Sequence, residues 1–120
     1  MSDATTRPHD QLPLTPAVFH ILLALADGEK HGYGIMQEVA AITQNDIRMG
    51  PGTLYGTIKR LLEAGLIVEV DERPDPALDD ERRRYYRLTA QGKRVADAET
   101  ARLERLVWVA RSKQVAGGPA

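Results

Sequence analysis

Five cationic side chains in two short stretches set the chemistry this chain can offer. Lys59 and Arg60 are adjacent in one, and Arg82, Arg83 and Arg84 run consecutively in the other. Ammonium and guanidinium groups donate charge-assisted hydrogen bonds to phosphate oxygens, and the planar guanidinium can do so with two parallel N–H bonds. Residues 82–94 hold six basic and no acidic side chains, whereas residues 71–81 hold six acidic and one basic. The whole chain of 120 residues balances 16 Lys+Arg against 17 Asp+Glu for a net charge of -1, so its positive charge is local rather than bulk. Such a run has two readings: a phosphate-binding surface, or a solvated stretch pairing with Asp79, Asp80 and Glu81 beside it.

Other chemistries find little support. With no cysteine there is no disulfide, thiolate metal site or Cys nucleophile. His9, His20 and His31 lack the spacing of a metal set, so no metal or cofactor is expected. No Ser-His-Asp or paired-carboxylate constellation can be placed, and the glycine-rich patches lack the Lys-Ser/Thr ending of a P-loop, so no enzyme is expected. The run from Ile21 to Ala26 is too short to span a bilayer and the N-terminus has no signal layout; the expectation is a cytoplasmic protein with no membrane partner.

The elements that must position these cations can be read from spacing. Residues 1–14, with Pro8 and Pro13, read as a flexible arm. Thr15-Pro16 is an N-cap followed by a proline at the first helical position, and Val18, Ile21, Leu22 and Leu25 recur at helical spacing up to Asp27-Gly28. A second helix is predicted over 32–42 with Ile35, Met36, Val39 and Ile42 on one side. A third opens at Pro51, carries the stripe Leu54, Ile58, Leu61 and Leu62, and stops at Gly65. Ile67, Val68 and Val70, then Tyr85 to Leu88, read as two strands of a hairpin around a charged loop. Thr89 caps a last helix reaching about residue 115, and residues 116–120 fray.

Three helices and a hairpin in that order predict a mainly α fold with a small β-hairpin, a winged helix-turn-helix over 15–89. In that layout the third helix enters the major groove of double-stranded DNA and the hairpin touches the backbone. With Ile58 facing inward, Thr53, Gly56, Lys59 and Arg60 project outward and Tyr55 flanks the stripe. Hydroxyls, a glycine that permits close approach and two cations suit phosphates and base edges; the bland alternative is a solvated helix face. Tyr33 either fills the core or offers its hydroxyl to a phosphate. His31 is placed to cap the second helix, with a phosphate contact as its other reading, and His20 reads as packing or a satisfied hydrogen bond.

These residues resemble a known family. His31-Gly32-Tyr33-Gly34-Ile35, the run from Pro51 to Leu61, Gly65-Leu66-Ile67 and Arg84-Tyr85-Tyr86-Arg87-Leu88-Thr89 are similar to the motifs of PadR-type transcriptional regulators, over roughly residues 14–110. The resemblance implies a dimeric winged-helix repressor of the short subfamily, dimerised by its single C-terminal helix. It also implies DNA contacts at Thr53, Tyr55, Lys59, Arg60 and the wing arginines Arg82, Arg83 and Arg84. The wing loop departs from the family pattern through a long acidic insert, Pro74 to Glu81.

The last helix, over 90–115, carries two apolar stripes. Ala96, Leu103, Leu106, Val107 and Ala110 form one, and Ala98, Ala101, Trp108 and Val109 the opposite one. Two faces need two partners, most simply the domain core and a second subunit; the alternative tucks Trp108 back onto the first helix. Paired Trp108 rings at a two-fold axis would offer stacking surfaces to a small aromatic or hydrophobic effector. The sequence expectation is therefore a dimeric repressor on a near-palindromic operator, released by a small molecule. The competing expectation is a winged-helix module whose basic wing binds an acidic protein and which has no operator.

Overall fold

A computed structural model describes residues 11–70 and 84–113. Its elements run α1 (Pro16–Ala24), β1 (Lys30–His31), α2 (Gly32–Ile42), α3 (Pro51–Glu63), β2 (Ile67–Val70), β3 (Tyr85–Leu88) and α4 (Ala90–Ser112). The helix starts are chemically marked. The Thr15 hydroxyl accepts from Val18 N, His31 Nδ1 from Gly34 N at 2.9 Å, and the Thr89 hydroxyl from Gly92 N at 3.0 Å. Pro51 follows Gly50 at the start of α3, where its missing N–H would have no partner.

The strands form an antiparallel sheet of order β1-β3-β2, so the expected two-stranded hairpin gains a third strand. Ile67 pairs with Leu88 and Val70 with Tyr85, while Lys30 and His31 pair with Tyr86 and Tyr85 from the other side. Paired residues share a face, so Ile67, Tyr86 and Leu88 turn inward together. They close a core of Ile21, Leu22, Leu25, Ile35, Val39, Leu54, Ile58, Leu61, Leu66 and Val95. Complete burial of these aliphatic chains, at about 1.5–3 kcal/mol each, is the main force holding the four helices on the sheet.

Two contacts differ from the sequence expectation. Leu14, placed by sequence in the arm, packs on the core, and its N–H donates to Glu99 Oε2 at 3.4 Å. Glu99 itself is 2% exposed and accepts from Arg102 Nε at 2.7 Å and Nη2 at 2.9 Å. The hydrogen bond from Arg102, before its charge, holds this carboxyl below the usual glutamate range.

The junction between sheet and α4 is a clamp. Thr89 N donates to the Leu66 carbonyl at 3.1 Å and Thr89 Oγ1 to the Gly65 carbonyl at 2.7 Å. Gly92 lies so close to Leu66 that a Cβ there would overlap its carbonyl oxygen. Gly65, at φ +76, makes the turn that presents these carbonyls.

Candidate nucleic-acid interface

The third helix is buried on one side and open on the other. Leu54, Thr57, Ile58 and Leu61 are buried, whereas Thr53, Lys59 and Arg60 are exposed and Gly56 opens onto free space. This places four of the sequence-selected residues together on one face, as the 100° step requires. Behind them, α2 is held by the turn 43–50. The Thr43 hydroxyl donates to the Val39 carbonyl at 2.8 Å and accepts from Ile47 N at 3.1 Å. Gln44 and Asn45 take positive φ values of 55 and 68, an unusual backbone for which asparagine is among the better-suited residues. Ile47 and Met49 then pack on the core and aim the chain into α3.

The other selected residues are distributed differently. Tyr55 is half-buried against the core, and its hydroxyl sits where a Cβ on Gly32 would lie, so its ring couples α3 to the start of α2. Tyr33 is 53% exposed, which takes it out of the core. Its ring stacks on His31 at 6.5 Å between centroids, and His31 meets the edge of Tyr85 at 5.3 Å. His20 packs with its Nδ1 buried and without a hydrogen-bond partner among the described residues.

At the base of the wing, Arg84 lies 3.8 Å from Glu69 as an exposed ion pair, and Arg87 lies 3.9 Å from the partly buried Glu29. Arg84 thus has an acidic neighbour on β2. Arg82 and Arg83, with Asp79, Asp80, Glu81 and the rest of the wing loop, fall outside the described residues. Among the described residues no group of His, Cys, Asp and Glu is arranged to hold a metal ion, and no helix is long and apolar enough to cross a membrane.

The last helix corrects one expectation. Its core face is Gly92, Val95, Ala96 and Glu99, but Leu106 and Val107, assigned by sequence to the stripe covered by the core, are each 51% exposed. The reason is length: α4 outruns the small domain, so only its first half meets the core. Trp108 is 66% exposed and is not tucked onto α1. Between α1 and α4 runs an apolar groove of about 390 Å³ lined by Phe19, Leu23, Leu103 and Val107. Ala98 and Ala101 line a second groove beside Leu12 of the same chain. Sequence reasoning missed two buried polar groups, Thr57 and Glu99. Each sits on an apolar stripe with an arginine three residues later, a pattern that was available as a signal.

A helix-turn-helix with a sheet-built wing and an uncovered, cation-bearing third helix defines the winged-helix class of DNA-binding domains. Residues 21–98 match the transcriptional regulator PadR-like family, and the chain belongs to that family, whose members regulate transcription rather than catalyse reactions. It is 36% identical over 99 residues to the transcriptional regulator Rv3488 of Mycobacterium tuberculosis, covering 82% of this chain and 81% of that one. Its fold is similar to that of a PadR family transcription regulator from Clostridium difficile, with a TM-score of 0.68 at 21% identity over 83% of this chain and 99% of that one. A transcriptional regulator from Clostridium thermocellum gives a TM-score of 0.65 at 25% identity, covering 80% of this chain and 87% of that one.

Proposed function

We propose that this chain is a homodimeric repressor that reads a near-palindromic operator with α3, its wing arginines Arg82, Arg83 and Arg84 meeting the phosphate backbone. The observation that carries this reading is the uncovered face of α3, where Thr53, Gly56, Lys59 and Arg60 stand together opposite the buried stripe. Thr53 and Arg60 can reach base edges or phosphates, Lys59 supplies a point charge, and Gly56 lets the backbone approach closely. Tyr33 adds a hydroxyl at the margin from the exposed start of α2, while Tyr55 braces α3 against α2.

Dimerisation falls to residues 90–115, the segment that contains α4. Its second half leaves Leu106, Val107 and Trp108 open. Ala98, Ala101, Trp108 and Val109 form the proposed contact stripe. A two-fold axis through paired α4 helices would set the two recognition helices about 34 Å apart, or a multiple of that. A small aromatic or hydrophobic effector stacking on Trp108 would change the angle between the helices and release DNA. Selection of bound sequences from random duplex DNA tests the reading. A recovered inverted repeat is expected; no enrichment, together with binding to acidic protein, would make the domain an interaction module.

A further inference from the structure

Thr57 is 0% exposed and lies among Leu54, Ile58 and Leu61, where stability alone favours an apolar side chain. Its hydroxyl is used twice. It donates to the Thr53 carbonyl at 2.8 Å and accepts from Arg60 Nη2 at 3.2 Å. The first bond is to a carbonyl that already receives the helical N–H of Thr57, so it adds little to the helix. The second reaches out of the core to an exposed cation on the uncovered face of α3.

We infer that Thr57 is a positioning residue for Arg60, folding its guanidinium back along α3 so that it meets DNA in one orientation. The inference rests on the reading that α3 contacts DNA. Helical side chains already lean toward the N-terminus, so the bond from position 60 to position 57 follows the natural direction of the arginine stem. Arg60 also borders a shallow groove shared with Gln11, Pro13 and Thr15. The guanidinium commits one of its five N–H donors to Thr57 and keeps four for phosphate or a guanine edge. An arginine held this way loses less side-chain entropy when it binds.

The test is a double-mutant cycle on the full chain with the operator recovered by selection, using Thr57→Val, Thr57→Ser, Arg60→Ala and Thr57→Val/Arg60→Ala. Valine matches threonine in shape and removes a buried polar atom, so Thr57→Val should melt at or above the wild-type temperature. It should weaken operator binding about fivefold, the worth of one ordinary hydrogen bond. Its salt dependence should be unchanged, because no ionic contact is removed. Thr57→Ser should bind as wild type, and Thr57→Val should add nothing once Arg60 is alanine. In the free protein, the Arg60 guanidinium N–H signals should be resolved by NMR in wild type and Thr57→Ser but averaged in Thr57→Val. An equal loss from Thr57→Val with and without Arg60, or unchanged Arg60 signals, would overturn the inference. Wild-type affinity in Arg60→Ala would instead overturn the underlying assignment of Arg60 to DNA.

Discussion

Replacing Trp108 by alanine probes the proposed dimer where the monomer leaves most surface uncovered. A tryptophan buries about 150–250 Å² when fully covered. With 66% of Trp108 exposed in the isolated chain, roughly 100–165 Å² remains for a partner to cover. At about 25 cal/mol per Å², full coverage contributes about 2.5–4 kcal/mol per subunit, or about 5–8 kcal/mol for the two copies in a dimer. Coverage of half that area, with one residue on each chain, still corresponds to roughly 2.5–4 kcal/mol, a rise of about 10²- to 10³-fold in the dissociation constant. Sedimentation equilibrium of wild type and Trp108→Ala across a concentration series measures this directly. The isolated domain should remain folded, since Trp108 lies beyond the half of α4 that meets the core. A dissociation constant within about threefold of wild type would refute the placement of Trp108 in the interface, because even coverage of one third of the area predicts more.

Further outcomes follow from the same contacts. Planar aromatic compounds should quench the emission of Trp108, the only tryptophan, and loosen DNA binding in parallel; unchanged emission across the titration removes the effector site. Glu99→Gln should flatten the acid limb of the stability curve. The lowered carboxyl contributes stability above the unfolded glutamate range and loses it as pH falls through the folded value, so an identical acid limb in the variant would contradict the Arg102 bond as its cause. Gly92→Ala should destabilise the fold by about 1–3 kcal/mol in urea denaturation, because the neighbour it meets is the Leu66 backbone rather than a movable side chain. Neutralising Arg82, Arg83 and Arg84 together should weaken binding evenly across DNA sequences, and tighter binding by that variant would favour pairing of the wing cations with adjacent acids.

The parts of the fold legible in the sequence are those set by local chemistry. Thr15, His31 and Thr89 cap helix starts with groups that act within three residues, Pro51 opens α3, and the stripe of Leu54, Ile58 and Leu61 alone orients that helix. What escaped depends on distant partners. Lys30–His31 is a strand only because Tyr85–Tyr86 comes alongside it, and two residues carry no alternation of their own. The burial of Glu99 was not legible because one of its partners, Leu14, arrives from 85 residues away. Leu106 and Val107 show the limit of periodicity: it reports that a helix face is apolar, but what covers that face depends on how far the domain extends. The outward set on α3 was legible in type and direction, whereas the bond from Arg60 to Thr57 required a hydroxyl hidden within the stripe.

The most direct measurement of the central claim is operator affinity for wild type, Lys59→Ala and Arg60→Ala over a salt series, with thermal melting as control. Both residues are exposed and lie opposite the buried stripe, so melting should be nearly unchanged. Each substitution should weaken binding, and each lost phosphate contact should reduce the slope of log affinity against log salt by about one. Unchanged affinity and slope in both variants would contradict the assignment of α3 as the DNA-reading element.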